Sequence, residues 1–83
     1  MDSKLWRAPV TLEMFGHGHY RVITSAKEAA KVLSNEWPRS SGPKYEEALA
    51  HCAAALKGDL DPERARAGFI DAAEEAGIRI VDR

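Results

Sequence analysis

Apolar side chains recur along this chain with two different periods, and the change of period marks out its elements. Between Pro9 and Phe15 the period is two. Val10, Leu12 and Met14 alternate with Thr11, Glu13 and Phe15, the pattern of a half-buried strand. Pro9 lacks a backbone donor and suits the first residue of an edge strand. Residues 1–8 carry no period, although Trp6 is large and apolar enough to tie that tail down. Gly16-His17-Gly18-His19 interrupts the alternation, its two glycines supplying the positive φ that a reversal needs. Tyr20 to Thr24 is rich in β-branched and aromatic residues and returns as a second strand. Its register is open at this point. A loop of three residues puts Tyr20 and Val22 on the face of Leu12 and Met14, whereas a loop of two or four puts Ile23 there.

The period then lengthens to that of a helix. Ser25-Ala26-Lys27-Glu28 is a capping box: the Ser25 hydroxyl accepts the amide of residue 28, and Glu28 reaches back to the amide of Ser25. The helix behind it carries Ala26, Ala29, Ala30, Leu33 and Trp37 on one stripe, with Lys27, Lys31 and Asn35 outward. Pro38 disfavours helical geometry at Trp37 and ends the helix there. The stretch from Pro43 to Gly58 is the element expected to organise the fold. Its stripe is Tyr45, Ala48, Leu49, Cys52 and Leu56, flanked by Ala50, Ala53, Ala54 and Ala55, and such small sides let neighbours approach closely. Ser41 or Gly42 caps its start, Pro43 fits its first turn, and Gly58 closes it in the left-handed conformation. Asp61-Pro62-Glu63 starts a third helix, with Ala65, Phe69, Ala72, Ala73 and Ala76 on one stripe. Gly77 ends it, and Ile78 folds back on Ala73. Ile78 to Val81 alternates briefly as a third strand. The expected fold is α+β in the order β-β-α-α-α-β, with three helices on one face of a small antiparallel sheet.

Composition narrows the function more than the fold. At 83 residues the chain suffices for one domain, residues 1–83, with one core. A net charge of −1 argues against a protein whose main work is coating nucleic acid. The single cysteine excludes an internal disulfide framework and a multi-cysteine metal knuckle. No apolar run approaches the roughly 20 residues of a membrane span. The sequence MDSKLWRAPV lacks the apolar core of a secretory signal, so the default placement is the cytosol.

Several residues invite a chemical reading. His17 and His19 are spaced to converge on a transition metal, with His51 as a third ligand, but two histidines without an acid or thiol beside them underfill a site. A polar hairpin tip is the simpler reading. His51 follows Glu47 by four residues, the spacing of a surface helix pair. Cys52 sits on an apolar stripe and diverges by about 100° from His51, which suits an inert packed thiol better than a nucleophile. Glu13, Glu28, Glu46, Glu47, Asp71, Glu74 and Glu75 form no inward-facing pair and read as solvated faces. Arg39, Lys44, Lys57, Arg64 and Arg66 suggest a basic patch, yet Arg64 and Arg66 diverge by about 200° around their helix. No phosphate loop, zinc-protease or serine-hydrolase motif occurs.

One family shares the order of these signals. Trp37-Pro38, Gly42, Tyr45 with Ala48, Cys52, Leu56 and Gly58 occur in sequence. Ala65-Arg66, Phe69-Ile70, Ala72-Ala73 and Glu75-Ala76 follow. Together with Pro9-Val10 and Arg21-Val22 before a capped helix, they make the chain resemble the small bacterial proteins grouped as domain of unknown function 982, over roughly residues 6 to 81. The resemblance implies an α+β fold and supplies no catalytic residue. The function expected from the residues is therefore that of a small non-enzymatic interaction module, without cofactor or metal, that self-associates as a weak homodimer through its sheet or binds a protein partner. The alternatives are a nucleic-acid-binding accessory protein and a metal or small-ligand binder acting through His17 and His19.

Overall fold

Strand β1 (Leu5–Glu13) lies at the centre of a three-stranded antiparallel sheet of order β2-β1-β3, flanked by β2 (Tyr20–Ser25) and β3 (Arg79–Asp82). Between β2 and β3 run helices α1 (Ala26–Asn35), α2 (Pro43–Lys57) and α3 (Pro62–Glu75), so the order is β-β-α-α-α-β. The computed structural model describes residues 5–14, 18–38 and 42–82.

The hairpin register follows from one bond. The Met14 amide donates to the His19 carbonyl at 2.9 Å, and Glu13 pairs with Tyr20 and Val10 with Ile23. Residues 15–18 thus lie between the paired positions, which is the four-residue case. Ile23 is buried at 1% exposure beside Val10, Leu12 and Met14, while Tyr20 and Val22 face away from the core. The strand also begins earlier than its alternation suggests. Trp6 is buried, and Pro9 stands within the central strand rather than at the start of an edge. A proline is tolerated there because the β1–β2 register is broken between Leu5 and Val10, so no regular ladder is interrupted. β3 pairs only with Thr11 to Glu13. Next to the unpaired part of β1, α3 supplies the partners: the Arg7 amide donates to Glu63 Oε2 at 2.9 Å, and Arg66 Nε donates to the Ala8 carbonyl at 2.8 Å.

The helices pack through small side chains. α2 buries Tyr45, Ala48, Cys52 and Ala55, and α3 buries Ala65, Gly68, Phe69, Ala72 and Ala73. Leu56, expected on the α2 stripe, is exposed; the buried position in the last turn is Ala55. In α1 the buried set is Ala26, Ala29, Val32 and Leu33, with Ala30 and Trp37 at the margin. The Phe69 ring sits between two tryptophans, its centroid 5.8 Å from that of Trp6 and 5.6 Å from that of Trp37. It therefore joins β1, the segment after α1, and α3. Buried Tyr45 donates its hydroxyl proton to the Leu33 carbonyl at 2.9 Å and ties α2 to α1.

Local caps follow the sequence closely. Gly58 is left-handed at φ 87°, with its amide on Ala55 and that of Asp59 on Ala54. Gly77 at φ 76° turns the chain so that the Ile78 amide donates to the Ala73 carbonyl at 2.9 Å. The α2 start is different. Gly42 is the N-cap and carries no side chain, so the acceptor comes from another helix: Glu75 receives the amides of Lys44 and Tyr45, each at 3.1 Å. Glu75 is thus an interhelical cap rather than part of a solvated face.

Candidate functional site

The alternation of an antiparallel ladder decides which backbone groups of β2 are engaged. Since Met14 and His19 are bonded, Arg21 and Ile23 turn their N–H and C=O groups towards β1. Tyr20, Val22 and Thr24 turn theirs outward, along the edge of the sheet. At Thr24 this edge is closed by a side chain: the Thr24 amide and hydroxyl both donate to Glu28 Oε1, at 2.8 and 2.9 Å. The capping box therefore differs from its expected form. Ser25 Oγ accepts the Glu28 amide at 3.2 Å as expected, but Glu28 reaches Thr24 and not Ser25. Those Thr24 bonds, the backbone one first, hold the Glu28 carboxyl below the usual glutamate range, with Arg21 and Lys31 nearby adding to the effect.

Beyond Thr24 the edge continues as Val22 and Tyr20, whose side chains are 55% and 57% exposed. A groove of about 340 Å³ runs beside it between β2 and α1, lined by Tyr20, Arg21, Val22, Ile23, Glu28 and Lys31. Arg21, the one charge on this strand and so its expected guard, is drawn into an ion pair with Glu36 at the end of α1, at 3.1 Å. The open edge, the exposed Val22 and Tyr20, and the groove together form the candidate site.

The other candidate residues are placed elsewhere. His17 lies outside the described residues, and His19 is exposed on the hairpin. Among the described residues no group of three or more histidine, cysteine or acidic side chains is arranged to hold a metal ion. His51 forms no pair with Glu47, which instead faces Lys44 at 3.7 Å. Its Nδ1 is buried without a protein partner, over the bare backbone of Gly68, where a Cβ would come within 2.8 Å of it. Lys44 and Lys57 lie at opposite ends of α2, about 20 Å apart, Arg66 is bound to Ala8, and Arg39 is outside the described residues. The basic residues of the helix joints are not brought together. Nor do the acids all stand without partners: besides Glu28 and Glu75, Glu13 accepts the Gly18 amide at 2.9 Å and faces Arg79 at 3.5 Å.

Cys52 is fully buried, and burial alone pushes its thiol up to about 11. The neutral thiol is therefore the form present at neutral pH, and a thiol reagent should label Cys52 slowly in native buffer and rapidly in denaturant. Cys52→Ala should cost on the order of 1 kcal/mol in urea unfolding, from a small cavity. Rapid native labelling would contradict the packing role.

A sheet of order β2-β1-β3 with three helices on one face defines a small α+β domain whose outer edge at β2 is left open. The model of the family described as protein of unknown function (DUF982) matches residues 8–80, and the chain belongs to that family. The chain is also similar to Agrobacterium tumefaciens protein Atu1219, solved by NMR. The identity is 34%, the match covers 96% of this chain and 79% of that one, and the TM-score is 0.79. No curated protein matches the chain. Among the described residues no helix is long and apolar enough to cross a membrane.

Proposed function

We propose that this domain is a non-enzymatic interaction module whose working surface is the edge of β2, where an extended segment of a protein partner adds to the sheet. One observation carries the reading. Side chains close the neighbouring stretches of exposed backbone, through Glu63 and Arg66 at Arg7 and Ala8 and through Glu28 at Thr24, while Val22 and Tyr20 stay open beside a groove. Natural sheets cover or charge their edges unless those edges are used. Strand addition draws affinity from main-chain bonds and selectivity from alternate side chains that enter a groove, and β2 with α1 offers both.

The test is photo-cross-linking in the native cell with a light-activated residue in place of Tyr20. A discrete adduct is expected, and it should vanish when Val22→Pro is added, because proline removes the outward amide. The same label in place of Leu56, exposed on α2, serves as the control. Identical adducts from both positions, or none from position 20, would refute the assignment.

A further inference from the structure

We infer that the occupant of the β2 edge is a second copy of this chain, paired antiparallel about a two-fold axis through Val22, so that two sheets join into one. This rests on the preceding reading of the edge and adds the partner and the register. The backbone groups that point outward are those of Tyr20, Val22 and Thr24, centred on Val22. Thr24 has already given its amide to Glu28 and offers only its carbonyl. A two-fold axis at Val22 uses most of this inventory. Each Val22 exchanges both its bonds with its counterpart, and each Tyr20 amide donates to the Thr24 carbonyl of the second copy. The Thr24 amide stays with Glu28, so the Tyr20 carbonyl at each end of this four-bond ladder is left to water.

The neighbouring registers fare worse for identifiable reasons. Moving the axis to Arg21 pairs Tyr20 with Val22 and satisfies their backbone groups equally well. It also sets two Arg21 side chains directly opposite each other at a close, non-hydrogen-bonded position, where like charges are unfavourable. Moving it to Ile23 sets Val22 instead of Tyr20 against the engaged Thr24 amide, which leaves only the two Val22 amide bonds, and runs Tyr20 against Ala26, the first residue of α1. The axis through Val22 instead sets Arg21 opposite Ile23 and leaves Arg21 its own Glu36. It also brings the two exposed Val22 side chains together on the sheet face away from the helices. Two-fold pairing is the commonest closed assembly, and this edge complements itself. A contact of one short strand per copy falls below the ~1,200 Å² of a stable interface, so the dimer is weak.

Sedimentation equilibrium across micromolar to millimolar concentrations tests the association. The average mass should climb towards twice that of the monomer in the wild type. It should stay monomeric in Val22→Pro, which lacks the outward amide, and in Val22→Lys, which keeps the backbone and sets like charges across the axis. The second variant changes only an exposed side chain, so folding and dimerisation are separated by a circular dichroism spectrum. Register is read by oxidation in a Cys52→Ala background: Val22→Cys should form a disulfide with its copy faster than Tyr20→Cys, which faces Thr24. A wild type that remains monomeric, a dimer untouched by both Val22 variants, or faster bridging from position 20 overturns the inference. A monomer whose Tyr20 cross-links to a different protein overturns it while the reading of the edge stands. A monomer that cross-links to nothing removes both.

Discussion

Phe69→Ala is expected to lower stability by about 3–5 kcal/mol, the usual range for deleting a large buried ring. The ring is fully buried, and its two aromatic neighbours come from distant parts of the chain: Trp6 from the first strand and Trp37 from beyond the first helix. Truncation removes apolar burial and the contacts of both indoles together, and neither can swing into the gap without leaving its own element. A domain of this size has only about 5–15 kcal/mol in total, so the variant should be close to unfolding at physiological temperature. Urea unfolding followed by tryptophan fluorescence measures the loss directly, because both indoles border the deleted ring. Phe69→Leu keeps more of the volume and should fall well short of the alanine cost. A loss below about 1.5 kcal/mol for Phe69→Ala would mean that the site collapses freely and that this ring does not unite the three elements.

Gly42→Ala should be the second most damaging small change, by about 1–3 kcal/mol from the backbone alone. At φ 138° the residue occupies a region that side-chain-bearing residues rarely adopt, and an added Cβ would fall 2.5 Å from Glu75 Oε2. The carboxylate must then move away from the amides of Lys44 and Tyr45. Loss of a helix cap adds about 0.5–2 kcal/mol. Glu75→Ala removes the same cap and also clears the space. The two effects should therefore not add: Gly42→Ala should cost measurably less in the Glu75→Ala background than in the wild type. Strict additivity in urea unfolding of the four proteins would show that position 42 is sensitive for its backbone only.

How much of this was readable beforehand depended on how far each signal reaches along the chain. Caps and stops are written within a few residues, and Ser25, Gly58, Asp61 and Gly77 perform as their sequence context predicts. Strand and helix periods gave the element order for the same reason. Side chains that serve backbone at a distance were invisible. Glu75 bonds amides 30 and 31 residues away, Glu63 one 56 away, and Arg66 a carbonyl 58 away. None of these leaves a local pattern. The α1 stripe was drawn through Ala30 where the structure buries Val32, since that helix packs against both the sheet and α2 and buries more than one stripe. The candidate edge was half legible. β2 and its poor defences could be seen in the sequence, but its register hung on the hairpin loop. Resolving that register put Ile23 in the core and left Val22 exposed. Arg21 looked like a guard until its pairing with Glu36 was known.

The central position of β1 has a consequence for how the molecule is made. One neighbour, β2, follows it after a short hairpin, whereas the other, β3, comes only after three helices. While the polypeptide is still emerging from the ribosome, the hairpin can already form, and the far side of β1 at Thr11 to Glu13 stands bare until residues 79–82 are released. For that interval one rim of the sheet is the bare middle strand itself, and neighbouring nascent chains can reach it. The last strand to be synthesised is the one that seals the first.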